Sequence, residues 1–372
     1  MELYEKIYVK PAFLETDHGG IACEHCHGGD PEDDDWQTAH KGVIRDPTYP
    51  DPSTACGECH EDVVASAVSS LHFTLRPMKQ AIEQRTGNEN PAALKIIDAA
   101  INRHCLTCHA SCGQCHVSRS DYAGGGLLAA HRFIKTPSMD TTCASCHGGR
   151  VHGEYTGVED DYEADVHYAN EDMTCMDCHK ASEMHASAEE VKTRFDLPER
   201  PACQTCHPDA VAENAAVRSH AVHRGRVACQ VCHAQAGKSC FSCHVGTDIK
   251  GLPYYKCKET KMMFKIGLNP DKCTDRPFDY VVVRHPPVDP QIFDAYIKNG
   301  LNRFDSLPTW KPDTPHSIQR ITRQSRTCNS CCHGNAGLFL SKNDLAPWEV
   351  TANAGVVVPE SRIPGLINEG AE

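Results

Sequence analysis

The chain has 372 residues, with 37 basic and 50 acidic side chains and a formal net charge of −13. Aromatics are 6% and the apolar 40% includes 23 cysteines, so too little Leu, Ile, Val and Phe remains for an interior of this size and something else must fill it. The acidity excludes nucleic acid and anionic membrane surfaces as partners, and the lack of any apolar run approaching 18 residues excludes a transmembrane helix.

The opening Met1-Glu2-Leu3-Tyr4 has neither a basic nor an apolar signal region, so no secretory leader is read. Nine Cys-x-x-Cys-His pentads follow: Cys23/Cys26/His27, Cys56/Cys59/His60, Cys105/Cys108/His109, Cys112/Cys115/His116, Cys143/Cys146/His147, Cys175/Cys178/His179, Cys203/Cys206/His207, Cys229/Cys232/His233 and Cys240/Cys243/His244. Random placement of these Cys and His residues would give about 0.09 such pentads, so nine are a feature of the design, and the pentad is the attachment signature of c-type haem. The two thiols add across the haem vinyl groups and the adjacent His turns back to the iron. First cysteines are 33, 49, 7, 31, 32, 28, 26 and 11 residues apart, and the text between them does not repeat, which indicates a cofactor array and not a solenoid. The two shortest intervals hold no folded element, so the haems at Cys105 and Cys112, and those at Cys229 and Cys240, are expected as close neighbours. Haem c is attached outside the cytoplasm. The sequence is therefore read as a mature or truncated form whose leader is missing, periplasmic or extracellular.

Between motifs the signals are short and local. The acidic runs at 30–35 and 159–165 read as solvated loops, with a calcium site as the lesser reading. Residues 61–75 place Val64, Val68, Leu71 and Leu75 on one helical stripe beside His72, with Pro77 as the break. Ser187 and Glu190 form a capping-box pattern for a helix through Phe195. The alanine-rich run 209–224 predicts a helix ending at Gly225, with His220 and His223 one turn apart. Residues 280–284 are the best strand candidate, and Asp289-Pro290 opens a helix closed by Gly300. The expected organisation is a haem array over 1–244, a haem-free connecting segment over 245–327, and a final part over 328–372. The middle segment holds Cys257 and Cys273, expected to form a disulfide in an oxidising compartment.

The last part opens on Cys328-Asn-Ser-Cys331-Cys332-His333, which reads two ways. Cys328 and Cys332 before His333 make a haem motif with one extra residue; Cys328 and Cys331 would be a non-haem pair. The first is favoured because a bare disulfide gives the following His no role. Zinc ribbons and redox disulfides also use Cys-x-x-Cys, but neither requires His after every second Cys.

Ten attachment histidines leave thirteen others: His18, His25, His40, His72, His104, His131, His152, His167, His185, His220, His223, His285 and His316. That supply gives every iron a second imidazole, and an iron with two is closed to substrate. His25, inside a pentad, and His104, beside Cys105, are the expected exceptions; the other eleven are the candidate distal ligands. Eight Met residues are the alternative sixth ligands.

Across residues 23–244 the chain resembles a multihaem c-type cytochrome. The runs Cys105-Leu-Thr-Cys-His-Ala-Ser-Cys-Gly-Gln-Cys-His116, Cys143-Ala-Ser-Cys-His-Gly-Gly-Arg150, Asp165-Val-His167 and Cys175-Met-Asp-Cys-His179 are similar to octahaem cytochromes of the tetrathionate-reductase type. The motif count departs from that type, and the family's lysine-ligated haem has no match here. In composition the chain equally resembles filament-forming extracellular cytochromes. The resemblance implies short α-helices and irregular loops wrapped around a haem array, with little β structure, and nine to ten covalent haem c groups. It implies electron transfer between redox partner proteins or to extracellular acceptors, with self-association into filaments. The alternative is a reductase of a sulfur or nitrogen oxyanion with one open iron, for which Lys135 and Lys180 are available ligands; a structural or sensing module is the third reading.

Overall fold

The computed structural model describes residues 6–87, 90–105, 110–158, 162–186, 194–197, 199–274 and 276–367. The chain divides into two compact units, each assembled from separated segments. The first comprises Met1–Gln80, Cys105–Gly149 and Thr174–Arg200, the second Ala81–His104, Arg150–Met173 and Pro201–Glu372.

In the first unit most attachment motifs form about one turn of helix, as in Cys23–His27, Cys112–His116, Ala144–His147 and Cys175–Cys178. The i, i+3, i+4 spacing of the pentad puts both cysteines and the histidine on neighbouring positions of that turn. Side-chain caps start several of them: the Ser111 hydroxyl accepts the Gln114 amide at 3.2 Å, and Asp177 accepts the Thr174 amide at 2.7 Å. One-turn helices have little stability of their own. Among the described residues the buried apolar side chains of this unit are Phe13, Val64, Ala67, Val117 and Leu197, too few to form a side-chain core.

The second unit does have such a core. Strands β1 (Gly237–Thr247) and β2 (Pro253–Met263) form an antiparallel hairpin, and β3 (Lys265–Leu268), β4 (Tyr280–Arg284) and β5 (Lys311–Pro312) form an antiparallel sheet in that order. Ile266, Val281, Val283, Trp310, Phe339, Leu340 and Val356 pack together against the smaller sheet. Helix Pro91–His104 buries Ala93, Ile97, Ala100 and Ile101, a stripe at 3.6-residue spacing that the sequence reading passed over.

The strand expected at 280–284 is β4. Several other expectations are corrected. The stripe at 61–75 is two helices, Glu61–Ala67 and Leu71–Thr74, because the Ser70 hydroxyl caps the second by accepting the Phe73 amide at 3.3 Å. Pro77 then sits in the first turn of helix Arg76–Thr86, where a missing N–H costs nothing. The run 209–224 holds a 3-10 turn, Pro208–Val211, and a helix, Arg218–His223. Residues 289–300 form successive turns: the Asp289 side chain accepts the Gln291 amide and the Asp294 side chain accepts the Asn299 amide, in place of helical bonds. Cys257 and Cys273 are both free thiols, the first fixed in the hairpin by its pairing with Cys243. Asp165, expected in a solvated loop, is buried; it accepts the His167 amide at 2.9 Å and the Ile318 amide at 2.8 Å. Residues 159–161 and most of the helix expected at 187–195 lie outside the described residues.

His285 stands on β4's C-terminal side, 1% exposed, with Nδ1 donating to the Cys240 carbonyl at 2.8 Å and Nε2 2.5 Å from Glu349 Oε1. Thr309 and the Ala346 amide also donate to that carboxylate, at 2.6 and 2.8 Å. Burial pushes the Glu349 carboxyl up, but these hydrogen bonds outweigh it and hold it below the usual range. Glu349→Gln is expected to cost about 3 kcal/mol in denaturant unfolding, since it removes the charge and sets an amide NH2 against one of the donors from His285, Thr309 and Ala346. A carboxyl depressed in the folded state stabilises above its unfolded value of about 4.3 and loses that contribution as pH falls through its folded value. The wild-type and variant midpoints should therefore converge in acid.

Candidate haem-binding array

Five of the attachment histidines are oriented through Nδ1. His27 donates to the Ile44 carbonyl at 2.7 Å, His116 to Ile134 at 2.6 Å, His233 to Gln319 at 3.1 Å and His333 to Gly365 at 3.0 Å, while His179 donates to Glu183 Oε2 at 2.9 Å. A carbonyl or carboxylate oxygen can only accept, so the proton is on Nδ1 and Nε2 keeps its lone pair. Spare histidines are held likewise: His167 by Asp165 at 2.8 Å, His223 by the Ser219 carbonyl at 2.8 Å and His40 by the Trp36 carbonyl at 2.7 Å. Such a bond on the far nitrogen is the usual support of a metal-ligating histidine.

Seven attachment histidines each face a spare histidine within their own unit. In the first unit these are His60 with His18 at 6.2 Å between ring centroids, His27 with His131 at 5.9 Å, His147 with His72 at 6.3 Å and His116 with His185 at 6.2 Å. In the second they are His207 with His167 at 6.0 Å, His233 with His220 at 6.0 Å and His333 with His223 at 6.2 Å. An imidazole nitrogen sits about 2.0–2.1 Å from a bound metal and about 1.1 Å from its ring centroid, so two imidazoles across one iron have centroids about 6.2 Å apart. All seven spacings match that value, while the interplanar angles run from 20° to 79°. Rings stacked on each other vary in distance, as with His18 on Phe133 at 3.9 Å and His285 on Phe241 at 4.3 Å. Rings sharing an axis through a metal keep their separation and turn freely about it. The residues therefore fit a six-coordinate haem iron at seven places.

The protonation state also suits ligation. Burial pushes His72, His131 and His185 down, with His27 adding to the effect on His131 and His116 to that on His185, so these rings stay neutral. Burial raises the Cys56, Cys115 and Cys232 thiols to about 11. Sulfurs of successive motifs also meet: Cys143 hydrogen-bonds Cys175, and Cys203 hydrogen-bonds Cys229. Those meetings bring the fifth motif to the sixth and the seventh to the eighth.

Not every expected attachment sulfur lies inside the array. Cys23, Cys59, Cys146, Cys178, Cys203, Cys206 and Cys328, expected as haem-binding cysteines, are exposed. Cys59 and Cys206 end their turns, and Cys146 stands one residue before the end of Ala144–His147. A single turn has one inward side, and in the second and fifth motifs the half-buried first cysteines, Cys56 and Cys143, take it. For these seven exposed cysteines the assignment rests on the motif spacing, with no support from burial.

The remaining candidates separate clearly. Cys108 and His109 lie outside the described residues. His285 has both ring nitrogens taken by protein groups and, as placed, offers neither to a metal. His25 faces Glu58 at 3.3 Å and His104 faces the Tyr296 hydroxyl at 2.5 Å, in keeping with their expected exclusion. His152 ends the π-helical turn Gly148–His152, and the His316 amide donates to Glu154 at 3.2 Å. Lys180 is turned to the Asp177 carbonyl at 2.6 Å. Sequence reasoning missed the oxygens that orient the rings. Asp165, two residues before His167, and Glu183, four after His179, had a readable spacing, whereas the six carbonyls had none because every residue carries one.

The geometry also discriminates within the hexad. Cys331 is 1% exposed and turned inward, while Cys328 and Cys332 share a face at i, i+4, with burial raising Cys332 to about 12. Cys331→Ser should leave the haem content unchanged, whereas Cys332→Ser should leave a single thioether at this motif, read by peptide mass mapping. No helix among the described residues is long and apolar enough to cross a membrane. Compared with known proteins, the chain matches no family model, no curated protein and no solved structure.

Proposed function

We propose that this chain is an extracytoplasmic multihaem c-type cytochrome that carries electrons along closely spaced bis-His haems. It would hold nine or ten haem c groups, with Cys328, Cys332 and His333 forming the tenth site. The observation that carries the reading is the set of seven histidine pairs at one spacing, each joining an attachment histidine to a spare one. Haem bound at these sites supplies reversible one-electron storage. The motif cysteines would anchor each group, the seven histidine pairs would hold seven of the irons, and the Nδ1 acceptors of eight histidines would keep those imidazoles in place. Meeting sulfurs of neighbouring motifs keep the groups within short distances of each other.

With two propionates per haem, the loaded protein would be far more acidic than its sequence pI of 5.9. Its partners would then present cationic patches or be extracellular acceptors, with filament formation as one mode of assembly. Iron and haem analysis of protein purified from a host that matures c-type cytochromes should give nine or ten haems per chain, nearly all low-spin. A preparation without covalent haem overturns the proposal.

A further inference from the structure

The β1–β2 hairpin gathers three sulfurs at the ninth motif. Cys243 on β1 stands directly opposite Cys257 on β2, so the two side chains share a face. Cys240, three residues before Cys243, would project from the other face of a regular strand, but Ser242 between them has a left-handed φ of 46°. With that bend the Cys240 and Cys257 sulfurs meet at hydrogen-bond distance. The Thr260 hydroxyl lies 3.7 Å from the first and 3.9 Å from the second, and the Tyr255 hydroxyl bonds the Cys243 sulfur. A serine held in this sparsely populated conformation points to a use for the contact it creates.

The same register takes His244 away from the sulfurs. It follows Cys243, so alternation along the strand turns it to the opposite face, across from Lys256. A haem on Cys240 and Cys243 would need that histidine beneath the ring that both sulfurs hold, and the strand does not provide it. Cys257 belongs to no Cys-x-x-Cys-His motif. Like Cys240 it is half-buried, within reach of a small reagent, whereas Cys243 is 1% exposed.

We propose that Cys240 and Cys257 form a redox-active dithiol that exchanges with small-molecule disulfides, in place of haem attachment at the ninth motif. Cys257, on the largely exposed strand β2, meets the reagent first. Its thiolate attacks a disulfide RSSR, forming a mixed disulfide and releasing one RS⁻. Cys240 then attacks the Cys257 sulfur, displaces the second RS⁻ and closes the Cys240–Cys257 bond. The dithiol loses two electrons, RSSR is reduced to two RSH, and the two cysteine protons end on the released thiols. The electron-carrier reading is left intact, with eight haems at the other pentads and one at the hexad.

Reduced holoprotein treated with oxidised glutathione and then alkylated should show, on non-reducing peptide mass mapping, a Cys240–Cys257 link lighter by two hydrogens than the separate peptides. Two glutathione molecules should be released per link, and neither Cys240 nor Cys243 should carry haem. In Cys240→Ser the treatment should stop at a glutathione adduct on Cys257. In Cys257→Ser the link should vanish while the haem content stays unchanged. Haem on Cys240 and Cys243, a link from Cys257 to Cys243 or Cys273, or no link after treatment each overturns this inference, while haem at the other motifs keeps the electron-carrier reading standing. The link in a chain that carries no covalent haem overturns that reading and supports this one.

Discussion

Expressed without haem attachment, the chain should lose its first unit to protease within the time that the holoprotein survives intact, while a fragment covering the β3–β5 sheet and the residues up to Val358 persists longest. The difference follows from where apolar side chains are buried. The second unit closes Ile266, Val281, Val283, Trp310, Leu340 and Val356 around a sheet, and such burial stabilises by about 25 cal/mol per Å². The first unit buries Phe13, Val64, Ala67, Val117 and Leu197 among its described residues. Its one-turn helices at Cys23–His27, Cys112–His116 and Cys175–Cys178 cannot stand by themselves. Where a bound group supplies the interior, binding energy becomes folding energy. Equal resistance of the apo and holo chains would remove the idea that the groups fill this unit.

The second large effect concerns helix Arg218–His223, which carries two of the proposed distal ligands three residues apart. His220 faces His233 at 6.0 Å and His223 faces His333 at 6.2 Å, so one short helix would close two irons, at the eighth motif and at the hexad. His220→Ala and His223→Ala should each open a single iron, adding one high-spin haem per chain to the resonance spectrum, and the double variant should add two. Restoring a weaker ligand by His223→Met should raise the potential of one haem by on the order of 0.1 V, since Met in place of His favours the reduced iron. If His223→Ala changes neither spin state nor potential, the hexad carries no haem.

The seven pairs show how far the sequence could be read. Each motif histidine was legible because it stands at a fixed spacing from two cysteines, the spacing that covalent haem attachment would require. Their partners were legible as a surplus and not as assignments: His18 precedes Cys23, yet faces His60; His72 follows the second motif and faces His147, which belongs to the fifth. A distal ligand has no local constraint, and its iron is chosen by the path of the chain. His285 was counted in that surplus, but its burial against Phe241 and Glu349 gives it a structural place.

Secondary structure divides the same way. Residues 280–284 were readable because an unbroken β-branched run needs burial on both sides, and β4 has it. The hairpin β1–β2 was not, since a haem motif and a lysine-rich segment carry no clear alternation and are held as strands by each other's backbone.

The sequence by itself determined a pattern: nine Cys-x-x-Cys-His pentads and one related hexad, a surplus of thirteen further histidines, and a shortage of large apolar side chains across the chain. Those follow from fixed short spacings and from composition, which need no knowledge of the fold. Only the tertiary structure decided which histidines oppose each other and that Cys331 is fully buried while Cys332 is half-buried. These depend on residues far apart in the chain meeting in space, and separation along the sequence carries no record of that.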